Sequence, residues 1–161
     1  MPARSASIHR LPASRWPYAA RCRTLVTEPV DGGSVMEVAA PWGSTRQSIG
    51  AFGEDLAVRY LVQSGWRILD RNWRCPAGEI DVVAEDGGDL VVCEIKTRRG
   101  LSLGDPVEAV TPVKHRRLRH LARAWLEAHP DRRSGHVRID VVGVILWPDG
   151  GQFHHLREVV P

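Results

Sequence analysis

The chain is 161 residues long, and 43% of them are hydrophobic, enough for the core of one domain with an extension. No apolar run approaches the ~20 residues of a membrane span, and the first 35 residues lack the apolar block of a secretory signal. The net charge of +3 sits at the N-terminus, where residues 1–35 carry five of the 22 basic side chains and two of the 19 acidic ones, so bulk basicity is weak evidence for nucleic-acid binding, which must rest on local patches.

Residues 1–45 have no sustained period and carry scattered Pro, Ser, Gly and Ala, which predicts a disordered extension ahead of one domain over 46–161. Its arginines (Arg4, Arg10, Arg15, Arg21, Arg23) also suit a targeting peptide or a nucleic-acid arm, and a translation start at Met36 is a further alternative. Cys22, Cys75 and Cys93 are odd in number and widely spaced. They fit neither a disulfide framework nor a zinc site, and a reducing cytoplasm suits them best.

Ser48 is the expected N-cap of a helix reaching about Ser64, with Gly65 as its stop. Ile49, Phe52, Leu56, Ala57, Tyr60 and Leu61 recur at helical spacing and define its buried stripe. Glu54 lies roughly 110° from the stripe centre, at 100° per residue. It is either a solvated glutamate in the first turns or a carboxylate reaching a neighbouring site. Trp66–Arg74 reads as an irregular first strand in which Asp70-Arg71-Asn72 bulges or turns, and its tryptophans suit packing better than base stacking.

Gly78–Arg99 reads as a hairpin, two apolar runs around a Gly87-Gly88 turn. With that turn, paired residue numbers sum to 175. Asp81 then lies opposite Glu94, and Lys96 shares the face of Glu94. Val83, Leu90 and Val92 share that face; Ile80, Val82, Val91, Cys93 and Ile95 take the other. Apolar residues on both faces imply a layered α/β domain. Like charges across a strand pair are unfavourable and need a compensating cation: Lys96, a metal, or both. A local salt bridge at a strand end is the plainer alternative.

A second helix is expected from near Pro106, interrupted near Thr111, with Leu118, Leu121, Ala122 and Trp125 facing inward. Arg116, Arg119, His120 and Arg123 fall on the opposite side, while Lys114, His115 and Arg117 add charge at the N-terminal end. This is a solvated face or a phosphate-binding one, and the absence of any acidic residue from Lys114 to Arg123 favours phosphate. Val137–Leu146 is a buried strand with one charge inside it, Asp140, either a site carboxylate or a partner for an arginine. Phe153–Val160 is expected as a short edge strand. Adjacent His154 and His155 point to opposite faces and do not make a metal pair.

The Asp81…Glu94-x-Lys96 constellation in this order of elements resembles the PD-(D/E)xK restriction-endonuclease-like superfamily. Gly53-Glu54, RNWRCPAGEID (71–81), VCEIKTR (92–98), GDPVEAVTPVK (104–114) and RIDVVGV (138–144) are similar to phrases of the bacterial YraN family within it, over residues 49–160. The resemblance implies a three-layer restriction-endonuclease-like α/β core with a mixed four- to five-stranded sheet flanked by helices. It implies a catalytic set of Glu54, Asp81, Glu94 and Lys96, with Glu54, Asp81 and Glu94 as ligands to Mg²⁺ or Mn²⁺. Ile80 replaces the superfamily's proline, and Glu79 is expected to point to the opposite face, outside the ligand set. The expected partner is DNA, branched or damaged forms included, held by Arg98, Lys114, Arg116, Arg117, Arg119 and Arg123. The alternatives are a non-catalytic nucleic-acid-binding protein of this fold and a structural or partner-binding α/β domain.

Overall fold

The computed structural model describes residues 7–11, 45–100, 111–132, 136–147 and 150–160. A short strand, β1 (Ser7–Leu11), precedes the first helix, α1 (Arg46–Gln63), which starts earlier than expected. Thr45 caps it, its Oγ1 accepting the Ser48 N–H at 3.3 Å, and Ser48 instead donates its own hydroxyl to the Thr45 carbonyl. Both residues are competent caps; Thr45 stands at the correct spacing ahead of the first turn. Gly65, at φ 88°, ends the helix as expected. Gly53, Leu56, Ala57 and Leu61 are buried, with Ile49, Phe52 and Tyr60 packed partly buried against the same cluster.

The remaining elements are β2 (Arg67–Cys75), β3 (Gly78–Asp86), β4 (Asp89–Arg99), the second helix α2 (Pro112–Ala128), β5 (Val137–Trp147) and β6 (Gly150–Leu156). β2 carries a register shift between Ile68 and Asp70, and Asn72 adopts φ 51°, so the irregularity expected here is real. The β3–β4 pairing runs from Asp86↔Asp89 to Val82↔Cys93, the register expected from the Gly87-Gly88 turn. Asp81 and Glu94, next in that register, stand one step beyond the ladder. α2 begins at Pro112, with proline at the first helical position and Thr111 as its cap, where the interruption near Thr111 is expected; the stretch expected to start near Pro106 lies outside the described residues. Leu118, Leu121, Ala122 and Trp125 are buried as expected. His115, expected among the charges at the helix N-terminal end, is buried with them, one turn before Leu118 on the inward face.

The sheet is mixed, in the order β1-β6-β5-β4-β3-β2, with β4–β5 the parallel pair. β1 pairs antiparallel with β6 and brings the count to six. It lies within the segment expected to be disordered, which therefore contributes a strand here. Residues 1–6 and 12–44 fall outside the described residues. The other five strands match the expected core. One face of the sheet packs on α1 through Val82, Ala84, Val91, Cys93, Ile95, Val142 and Val144. The other packs on α2 through Val83, Leu90, Val92 and Ile139. This is the three-layer, restriction-endonuclease-like arrangement that the sequence predicts.

Ile80 departs from the expected alternation. It packs on the α2 side, whereas Val82, two residues on, packs on the α1 side. The β3–β4 ladder stops at Val82, and the end of β3, still paired with β2, turns toward α2.

Asp140 is fully buried and serves the fold, which decides between its two expected roles. Arg138 Nε donates to Asp140 Oδ1 at 2.9 Å and its Nη2 reaches Oδ2 at 3.2 Å. The same guanidinium contacts Asp86 at 2.8 Å and Asp89 at 3.4 Å, tying the hairpin turn to β5. His155 Nε2 lies 2.9 Å from Asp140 Oδ2, and the Glu158 N–H completes the cage. Burial pushes the Asp140 carboxyl up, but the hydrogen bonds from His155, Arg138 and Glu158 outweigh it and hold the group below its usual range. Its contribution to stability is thus present at neutral pH and lost as pH falls below the ordinary carboxylate value. Asp140→Ala leaves Arg138 buried without this partner and should cost about 3–5 kcal/mol. Urea unfolding measures it, and a loss below ~1 kcal/mol would show that the cage does not stabilise the fold.

Candidate active site

Asp81 stands where β3 leaves β4. Its Oδ2 accepts the Ile95 N–H at 2.7 Å, replacing a backbone carbonyl at the first position beyond the ladder. Glu94 is the neighbour of Ile95 and points to the α2 side, since Cys93 and Ile95 pack on the α1 side. Asp81, Glu94 and Glu79 line one open cleft of about 240 Å³, with Lys114, Arg117 and Leu118 of α2 as its other wall. Glu79 therefore shares the cleft, against expectation, because the end of β3 turns toward α2. It also pairs with Arg74.

Lys114 Nζ lies 2.6 Å from Glu94 Oε1. The cation compensating the carboxylates is thus on α2. Lys96, expected in that role, is exposed and makes no ion pair among the described residues. Arg117 packs its guanidinium over Gly78, where a Cβ would fall 2.5 Å from Nη2; at φ 141° the position also favours glycine.

Glu54 comes from α1. The residue before it, Gly53, touches β4 so closely that a Cβ would lie 1.9 Å from Thr97 Oγ1. Any larger residue holds α1 off the sheet, so Gly53 sets how near Glu54 comes to the strand ends. Burial raises the Glu54 carboxyl, while a hydrogen bond from Asn72 and the charge of Arg71 pull it down. Asp81 is pushed up to about 7, first by burial, then by the charge of Glu94, against the pull of the Ile95 N–H; Glu54 and Glu79 push in the same direction. All four carboxylates therefore act on one electrostatic centre.

Among the described residues no three His, Cys, Asp or Glu side chains stand close enough together to hold a metal ion. Asp81 and Glu94 offer two hard oxygen donors on an open cleft wall. That donor set suits Mg²⁺ or Mn²⁺, which keep several waters and take substrate oxygens as further ligands. Glu54, hydrogen-bonded by Asn72, acts on Asp81 through its charge but does not line the cleft with this pair.

Residues 53–144 match the family described as "Uncharacterised protein family UPF0102". The chain belongs to UPF0102. The resemblance to the YraN family, which is this family, is borne out. A UPF0102 protein of Clavibacter michiganensis is 56% identical over 106 residues, covering 66% of this chain and 88% of the relative. UPF0102 proteins of Kineococcus radiotolerans and Streptomyces griseus are 55% and 52% identical over 106 and 103 residues, covering 66% and 64% of this chain and 86% and 87% of the relatives. The UPF0102 match starts at Gly53 and includes every cleft residue named above, while β1 and β6 lie outside it.

The remaining expected residues are spread along α2 and β4. Arg116, Arg119 and Arg123 are exposed on the outer side of α2, and Arg98 is half-buried near the end of β4. Asn72 is a neighbour of the site that the sequence places only in the irregular Asp70-Arg71-Asn72 stretch; an asparagine there, which tolerates the left-handed backbone it adopts, is the available signal.

Because the Asp81 carboxyl titrates higher in the folded protein than its ordinary 3.8, the native state keeps a proton that the unfolded chain has released between about pH 4 and pH 7. Stability of the metal-free protein therefore falls as pH rises through that window. Asp81→Asn should flatten most of this slope and raise the melting temperature at about pH 8, above the window. Melts in chelator at about pH 4.5 and pH 8 measure it, and an unchanged slope would place the strain elsewhere.

Proposed function

We propose that this protein is a metal-dependent nuclease that hydrolyses phosphodiester bonds in DNA, branched or damaged forms included, in the cytoplasm. The observation that carries the reading is the two-sided cleft, with Asp81 and Glu94 on one wall and Lys114 and Arg117 on the other. A carboxylate wall suits a divalent cation and a cationic wall suits a phosphate. Cys75 and Cys93 are both free, in keeping with a reducing compartment.

Asp81 and Glu94 would hold Mg²⁺ or Mn²⁺, which when bound supplies Lewis acidity to the phosphodiester and to an attacking water. Glu54 would add negative charge and orient water at the edge of the site. Lys96 lies two residues beyond Glu94 on the same strand face and would deprotonate or position the attacking water. Arg117, beside Gly78 on the cleft wall, would grip a phosphate oxygen, with Arg98 near the strand end and the exposed Arg116, Arg119 and Arg123 following the backbone without reading bases. A binding protein without turnover is the second reading, favoured by the Lys114 ammonium already paired with Glu94.

Cleavage of labelled linear, branched and single-stranded DNA with Mg²⁺ or Mn²⁺ separates the two. Wild type should cut at least one form, and Glu94→Ala should lose at least about 100-fold in rate with its circular dichroism unchanged. Binding without cleavage of any form would leave the second reading. Reversing Arg116, Arg119 and Arg123 to Glu should weaken binding evenly across sequences and reduce the salt slope by about 0.9 per lost phosphate contact on duplex DNA. An unchanged slope would move the contact surface off α2.

A further inference from the structure

The pairing of Glu94 with Lys114 sets a condition on the carboxylate wall. The contact is 2.6 Å, and the two side chains are only 19% and 27% exposed, so it is partly withdrawn from solvent screening. Asp81 takes its hydrogen bond from the Ile95 N–H and has no ammonium beside it among the described residues. A cation bridging Asp81 and Glu94 thus meets one carboxyl with no ammonium beside it and one already engaged by a positive charge. Two cations cannot share the same carboxylate oxygen at ligating distance without strong repulsion.

We infer that Lys114 is an internal competitor for the divalent cation: it holds Glu94 in the metal-free protein, gives it up when the ion binds, and turns its freed ammonium to a phosphate in the same cleft. This rests on the metal-dependent reading given above. Lys114 is built for such a change of partner. It lies in the first turn of α2, three residues after the cap Thr111, and its four-carbon stem lets the ammonium swing while the helix stays docked through Leu118 and Leu121. Arg117, one turn further, lies with its guanidinium beside Gly78 and is not the cation that touches Glu94. Exposed Lys96 does not contact Glu94 among the described residues and leaves the competition to Lys114. Because the ion and the phosphate both favour the open ion pair, each raises the affinity of the other; this coupling is reciprocal.

The test is Mn²⁺ binding to the full chain, read by the free-ion electron paramagnetic resonance signal, without nucleic acid. Lys114→Met keeps a stem of similar length and removes the charge, Lys114→Gln removes the charge on a shorter side chain with a polar end, and Lys114→Arg keeps the cation. The Met and Gln variants should bind Mn²⁺ about five-fold more tightly than wild type, the equivalent of ~1 kcal/mol, and the Arg variant should match wild type. Circular dichroism melts identify the folded variants, and either neutral variant suffices for the comparison. Neutral variants that bind Mn²⁺ no more tightly than a wild type that does bind it overturn the competition and leave the metal site standing. Absence of Mn²⁺ binding in wild type and every variant overturns the competition and the metal-dependent reading together.

Discussion

A side-chain carboxylate stands in for a backbone carbonyl where β3 and β4 part. Asp81 Oδ2 takes the Ile95 N–H, and by doing so it ends the ladder and stays beside Glu94. An unmet N–H at this depth would cost ~1–3 kcal/mol, so the hydrogen bond anchors Asp81 against the repulsion of its neighbour. The same parting lets the end of β3 turn toward α2, which brings Glu79 into the cleft and Ile80 into the α2-side core. One hydrogen bond thus couples where the strand ends to where the charges gather.

Stability and the candidate chemistry use opposite ends and faces of the sheet. The Arg138–Asp140–His155 cage lies at the hairpin-turn end, with Tyr60 and Trp66 of the α1 side around it. There the carboxylates are matched by cations and N–H donors, and the Asp140 carboxyl is held low. At the cleft the carboxylates outnumber the cations that touch them, and the Asp81 carboxyl is pushed up. A fold that satisfies one set of buried charges and leaves another in tension tolerates the second because the first is secure.

What the sequence made legible was local. A Gly-Gly turn between β-branched runs decides a register, and Val82↔Cys93 and Asp86↔Asp89 follow from it. Helical spacing picks out Leu56, Ala57 and Leu61, and Leu118, Leu121 and Trp125, because a buried stripe is a property of one element. The partner of Glu94 was not legible, since Lys114 meets it only through the docking of α2 on the sheet, a contact between residues distant in sequence. Lys96 is the nearer cation along the chain but shares a strand face with Glu94 without pairing with it. The start of α1 departs from expectation where two residues, Thr45 and Ser48, compete for one role, and propensity alone does not rank them. Strand β1 was hidden because its five residues are ordered by pairing with β6 and carry no period of their own to announce it.

That added strand has a bearing on how the molecule keeps to itself in a crowded solution. β6 would otherwise end the sheet with a row of unpaired N–H and C=O groups, the kind of edge that templates association between chains. β1 fills it, at the side of the sheet away from β3 and from the cleft. It comes from outside the stretch shared with UPF0102. The edge of the sheet is in this chain covered by a strand that carries none of the cleft carboxylates, and a chain starting at Met36 would need another way to blunt that edge.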